Sequence, residues 1–206
     1  TGAVQNGSSI NNDRNALTAQ AQGALASNSA TLSVGGTLSQ AAGTGAAIAN
    51  AAVVANNQEL ADGANVTARV NTAGDPAMLT KVGTTLDSSS VSTSNNKVQA
   101  FADGASATNA MTVSANTLAL GATDTSEPGS NVTSTAATAD SAFAVVNRQD
   151  GGDATVAAEL NDPLMVRTEI AGATTASSIA STGNIQDAFA TSNKATNSLS
   201  LSATSL

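Results

Sequence analysis

The residues best suited to chemistry lie in Asn147-Arg148-Gln149-Asp150-Gly151-Gly152-Asp153, where oxygen-bearing side chains crowd around two glycines. Calcium takes such hard oxygen ligands on a tightly turning backbone. Asp150 and Asp153 are therefore the candidate metal ligands, and calcium is the cofactor they would hold. The segment lacks the repeated G-G-x-G-x-D pattern of calcium-binding β-rolls. Its nearest earlier counterpart, Gln58 to Gly63, carries Glu59 and Asp62 in a different arrangement. A plain polar turn is the expectation. Nucleophilic and general-base catalysis lean on histidine, cysteine or an equivalent group poised near neutral pH, and the chain contains neither residue. Lys81, Lys97 and Lys194 could activate a serine but read as solvated charges. Paired carboxylates are the remaining route, yet the fifteen acidic residues are spread almost singly. The chain is therefore read as non-enzymatic, with no catalytic and no cofactor-binding residue.

Three further sets of residues carry polar or soft groups. Met78 and Met165 each follow an acidic-proline corner, Asp75-Pro76 or Asp162-Pro163, and a third such corner is Glu127-Pro128. Proline cannot donate to a sheet ladder, so these corners mark turns. A lone thioether without histidine or cysteine is a poor metal site, and both methionines read as apolar plugs. Asn65-Val66-Thr67 and Asn131-Val132-Thr133 match the glycosylation sequon. Asparagines recur as Asn15/Asn96/Asn184 and Asn28/Asn109/Asn197. Asparagine tolerates the left-handed region and bonds its own backbone, so these are expected at corners. Stacked ladders are the alternative.

The elements that would position these groups are strands. Leu17-Ala19-Ala21, Val98-Ala100-Ala102, Met111-Val113-Ala115 and Leu199-Leu201-Ala203 alternate with mostly Thr, Ser, Gln or Asn, the period of a half-buried strand. Alanine-rich stretches over 16–30 and 48–60 also suit helix, but Ser, Thr, Asn and Gly interrupt them. The chain also repeats itself. AFADGASATNAMTVSANTL (100–118) and AFATSNKATNSLSLSATSL (188–206) share nine of nineteen positions at an offset of 88, and Ser8-Ser9-Ile10 through Asn28 matches Ser89-Ser90-Val91 through Asn109 at 81. Repeat units fall at approximately 1–82, 83–170 and a partial 171–206, within one elongated domain over 1–206. A-x-A segments at Ala100, Ala137 and Ala188 lie 37 and 51 residues apart, suggesting a finer unit of about 17–18 residues. That is the coil length of a parallel β-helix. The expected fold is all-β, a β-solenoid of short coils, about five to each repeat. Some twelve coils at roughly 4.8 Å would give a rod of about 55–60 Å. Tandem Ig-like modules of similar length are the rival.

Composition narrows the class. Apolar residues make up 41%, the three aromatics are Phe101, Phe143 and Phe189, and the net charge is −8. The apolar share and its alternation argue against disorder. With so few aromatics an Ig-like core is hard to fill, whereas a narrow core of Ala, Val, Leu and Ile is not. Seven scattered basic residues on an acidic chain exclude a nucleic-acid reading, which needs a basic stripe. No apolar run approaches the roughly 20 residues of a membrane span. No charged-then-apolar leader opens the chain, so any signal peptide is expected to be removed or to lie outside it. Leu206 closes a motif whose earlier copy runs on from Leu118 into Ala119-Leu120, so the array is expected to continue.

The pattern A-x-A-x-G-A-x-A-x-N occurs at Ala19 to Asn28 and at Ala100 to Asn109. There the chain resembles bacterial surface β-solenoid proteins, including adhesin passenger and head regions and the holdfast-attachment proteins of stalked bacteria. Adhesin heads of the trimeric kind carry more regular glycine ranks. The resemblance implies secretion to the cell surface and a fibrous or adhesive role. It also implies self-association into a filament or homo-oligomer, and a cell-surface polysaccharide or outer-membrane anchor as partner. With no capping helix evident at either end, open strand edges are expected to stack end to end. A surface- or carbohydrate-binding module that does not polymerise is the alternative, and the absence of Tyr and Trp counts against it.

Overall fold

A computed structural model describes residues 2–39, 52–70, 74–119, 130–132, 137–139, 143–161 and 165–205. Every regular element among them is a strand: β1 (Ser9–Asn11), β2 (Ala16–Ser39), β3 (Ala52–Glu59), β4 (Asn65–Val70), β5 (Met78–Val82), β6 (Leu86–Asp87), β7 (Ser90–Ser92), β8 (Lys97–Ala119), β9 (Ser130–Val132), β10 (Ala137–Ala139), β11 (Phe143–Asp150), β12 (Thr155–Leu160), β13 (Val166–Ile170), β14 (Thr174–Thr175), β15 (Ser178–Ala180) and β16 (Ile185–Ser205). The alanine-rich stretches that also suited helix lie in β2 and β3 where described. Their side chains alternate between faces, and period two overrides alanine's local preference.

The strands pair in parallel between repeats. β1, β7 and β15 form one small sheet, with Ser9 against Ser90 and Ser178 against Ser90. β2, β8 and β16 form the longest. β3 pairs with β11, β4 with β12, β5 with β13 and β6 with β14, all parallel. The partners lie 81 to 91 residues apart: Ser9 with Ser90, Thr174 with Leu86, Phe143 with Ala52. No described strand pairs at 17–18 residues, so the short coil is corrected: the pairing interval is the whole repeat. The A-x-A segment at Ala137, which suggested the finer spacing, lies in β10. That strand forms an antiparallel pair with β9 and takes no part in the parallel stack. An Ig-like module would pair its strands within one repeat; the parallel pairs described here join different repeats.

Two compact units divide the chain, and each draws on all three repeats. The first comprises 1–21, 65–103 and 155–190. Its core is three small clusters: Val4, Val82, Leu86 and Val91; Ala68, Ala100 and Ala102; and Val70, Val98 and Met165. Met165 is fully buried and Met78 packs beside it, so both methionines are core fillers. The second unit comprises 22–64, 104–154 and 191–206. Met111, Val113 and Leu118 of β8 pack there against Val54 of β3 and Phe143 of β11, with Leu32, Leu38, Val145 and Ala203 at the margin. Small side chains suffice because the facing strands lie close. Each fully buried Val or Leu still contributes on the order of 1.5–3 kcal/mol.

The middle repeat is the best buried. Along β8 buried residues alternate with half-exposed ones, whereas β2 and β16, each with one strand neighbour among the described residues, are largely exposed. Corners recur in register. Arg14, Asn95 and Gly183 have φ of 59°, 57° and 66°, and Gly7, Ser88 and Ala176 have 76°, 49° and 48°. The left-handed residue thus sits immediately before Asn15, Asn96 and Asn184. The expectation that these asparagines form the corners is corrected by one position.

Candidate functional site

The acidic turn gathers the residues singled out as calcium ligands, but commits their oxygens elsewhere. Register places Glu59 of β3 beside Asp150 of β11. Arg148 lies between them, its Nη2 at 2.5 Å from Asp150 Oδ2 and its Nη1 at 3.9 Å from Glu59 Oε2. The Gly152 N–H donates to Asp150 Oδ1 at 3.0 Å, and the Gly63 N–H donates to Asp153. The Arg148 guanidinium thus pairs with Asp150, while Asp153 accepts from the backbone of the neighbouring repeat. Among the described residues no three acids, histidines or cysteines converge as a metal site would require. The geometry is that of a self-satisfied polar turn stacked in two layers.

Other charges pair across layers in the same way. Arg69 meets Glu159 at 2.6 Å and Lys81 meets Glu169 at 3.5 Å, with Arg167 also on Glu169. Lys81 thus faces a carboxylate. Such exposed pairs add little stability but hold register. Asn65, from the first sequon, opens β4 and is exposed; the side chain of Asn131 lies outside the described residues. So do the corners Glu127-Pro128 and Asp162-Pro163.

The asparagines form two ladders, and Asn28, Asn109 and Asn197 lie within β2, β8 and β16 rather than at the corners expected of them. They overlie one another because one repeat is one pairing interval. In the second unit, Asn28 Nδ2 donates to Asn109 Oδ1 and Asn109 Nδ2 to Asn197 Oδ1, both at 2.9 Å. A parallel rank stands opposite, Asn56 Nδ2 donating to Asn147 Oδ1 at 2.7 Å. Cross-links join the ranks, Asn28 to Asn56 at 3.3 Å and Asn109 to Asn147 at 3.5 Å. In the first unit, the Asn15 N–H donates to Asn96 Oδ1 at 2.9 Å and the Asn96 N–H to Asn184 Oδ1 at 3.0 Å. Asn96 and Asn109 are wholly buried, where an unsatisfied amide is costly. That both asparagine sets step by the same offsets, 81 and then 88, was the signal for this arrangement.

Exposed apolar side chains complete the picture. Met111 and Val113 on the inner face of β8 are 2% and 0% exposed, yet their equivalents on β16, Leu199 and Leu201, are 43% and 46% exposed. Phe189 stacks on Phe101 with centroids 5.7 Å apart and remains open to solvent. β16 runs for 21 residues without proline, and its charges, Asp187 and Lys194, cancel. β2 spans 24 residues with no charge at all. Proline, lysine and inward charges are the usual guards of a sheet edge. These two edges are nearly unguarded, on a chain of net charge −8. No helix of the described residues is long and apolar enough to cross a membrane. Searches among protein-family models, characterised proteins and solved structures returned no match to this chain.

Proposed function

We propose that the chain is a non-enzymatic structural protein, a β-solenoid segment that assembles end to end through its open strand edges into an extracellular fibre or adhesin of the bacterial surface. The observation that carries this reading is the contrast between buried Met111 and Val113 and their uncovered equivalents Leu199 and Leu201. An inner face built for a core lies bare at a strand edge with few guards. Parallel pairing of each repeat on the next supports a solenoid with turns of 81 to 91 residues. Such a stack carries load through backbone hydrogen bonds and has no need of disulfides. The mixed, nearly neutral edge sequences support strand addition over charge-driven binding. The surface location rests on the resemblance at the two A-x-A-x-G-A-x-A-x-N segments alone.

Sedimentation velocity over a wide concentration range, with electron microscopy of the same samples, tests the reading. It predicts reversible, concentration-dependent species larger than one chain, with an axial spacing near 4.8 Å in any filaments. A chain that stays monomeric at its solubility limit contradicts it.

A further inference from the structure

We infer that the second unit carries a face that binds ice: the outer surface of β2, β8 and β16, where ranks of neutral hydroxyls match the lattice of solid water. The inference does not depend on end-to-end assembly, because it concerns the side of the stack and not its ends.

Behind this surface Asn109, Met111 and Val113 are buried. By strand alternation, residues 108, 110, 112 and 114 of β8 therefore point away from the core. Side-chain bonds fix what lies beside them. Asn28, Asn109 and Asn197 bond in sequence, and the Ser114 hydroxyl donates to that of Ser33 at 3.2 Å. Positions 27, 29, 31 and 33 of β2 thus lie on one side of the β8 row, and 196, 198, 200 and 202 of β16 on the other. Eleven of these twelve positions hold serine or threonine, and Ala110 is the exception. The β2 and β16 rows are exposed throughout, and Thr108 and Thr112 are exposed on the middle strand. The face is open to solvent at its centre.

Backbone geometry sets the grid: about 4.8 Å between strands and about 6.6 Å for two residues along one. In a tetrahedral network of O–H···O bonds of about 2.75 Å, second neighbours lie about 4.5 Å apart and the axial repeat is about 7.3 Å. The two grids agree to within about a tenth in each direction. Over so few positions that error is within the swing of a hydroxyl between rotamers. Flat sheets are held by side-chain ladders, and the asparagine ladder directly behind this face has two equal steps of 2.9 Å.

What the face lacks selects its partner. On a chain of net charge −8, none of the twelve positions is charged. The charges of β8 and β16, Lys97, Asp103, Asp187 and Lys194, all precede this stretch. A protein partner finds no aromatic or arginine anchor, a phosphate finds no cation, and a sugar finds no ring to stack on. Each hydroxyl can donate one hydrogen bond and accept two, so it can stand in for a water molecule at the surface of the lattice.

Uptake of the purified chain into slowly growing ice, with crystal shape followed by microscopy, tests the inference. The wild type is expected to be enriched in the ice over the remaining liquid and to facet the crystals. Thr112→Lys, at the centre of the face, and Ser198→Lys, on β16, are each expected to lower uptake several-fold. Thr67→Lys, at an exposed position of β4, is expected to leave it unchanged. Circular dichroism should match the wild type in all three, because each of these side chains is exposed. A wild-type chain rejected from ice as an inert carrier protein is rejected overturns the inference, and so does uptake that neither lysine on the face lowers. Exclusion from ice with retention on crystalline cellulose also overturns it, and assigns the face to a polysaccharide lattice instead.

Discussion

Asn109 accepts from Asn28, donates to Asn197 and is wholly buried, so its removal strands two neighbouring amides. Asn109→Ala should cost about 1–3 kcal/mol, measured by urea unfolding, whereas Asn197→Ala, at the edge of the same ladder, should cost well under half of that. Equal losses would mean the ladder is not a buried network. Asp13 makes a second residue-scale prediction. It accepts from the Ser92 hydroxyl at 2.7 Å and from the Ser94 N–H. These bonds, chiefly that of Ser92, hold its carboxyl below the ordinary aspartate range. A lowered folded-state value stabilises above the unfolded value, and the contribution fades as pH falls through the folded one. The stability advantage of the wild type over Asp13→Ala should therefore shrink on acidification below about pH 4. An advantage constant from pH 6 to pH 2 would contradict the role. The recurrence of the asparagines was legible in the sequence. Their contact was not, because a ladder is visible only once the pairing interval is known.

At the scale of elements, strands over 98–102, 111–115 and 199–203 were legible from alternation alone, and period two outweighed alanine's helix preference. The corners were harder. Arg14, Asn95 and Gly183 share one left-handed backbone state with three unrelated side chains, so residue type carried no common signal, and the conspicuous asparagine one place later drew the assignment. Ala176 sits at φ 48°, where its equivalent in the first repeat is Gly7. An L-residue with a β-carbon is strained there by roughly 1–2 kcal/mol, and glycine returns part of that as unfolded-chain entropy. Ala176→Gly should therefore raise stability by up to about 1 kcal/mol in thermal or urea unfolding, the reverse of the usual effect. Destabilisation would show that the corner is not held in this conformation.

For the whole molecule, the internal repeat was the strongest feature of the sequence, and it is the interval at which strands pair. The division of each repeat into five short coils came from spacings of 37 and 51 that depended on Ala137, a residue of the antiparallel β9–β10 pair. Similarity between repeats says which residues are equivalent; it does not say whether equivalents stack or lie several turns apart, because short-coil and long-turn arrangements share the same alternation. The acidic turn was legible as a cluster of oxygens. That Arg148 would occupy it depends on register between β3 and β11, which no single segment encodes. The proposals of a solenoid and of assembly through its edges both require that equivalent residues of successive repeats be neighbours. Ser33 and Ser114 test this directly. Ser33 is exposed and Ser114 half-buried; they lie 81 residues apart with hydroxyls 3.2 Å from each other, and adjacent strands at about 4.8 Å fall within disulfide reach. In the cysteine-free chain, Ser33→Cys with Ser114→Cys should close an intrachain disulfide on mild oxidation at low protein concentration, seen as a mass loss of about two hydrogens and a monomer of altered mobility. Two thiols that stay free, or that link only between chains, would contradict stacking by whole repeats.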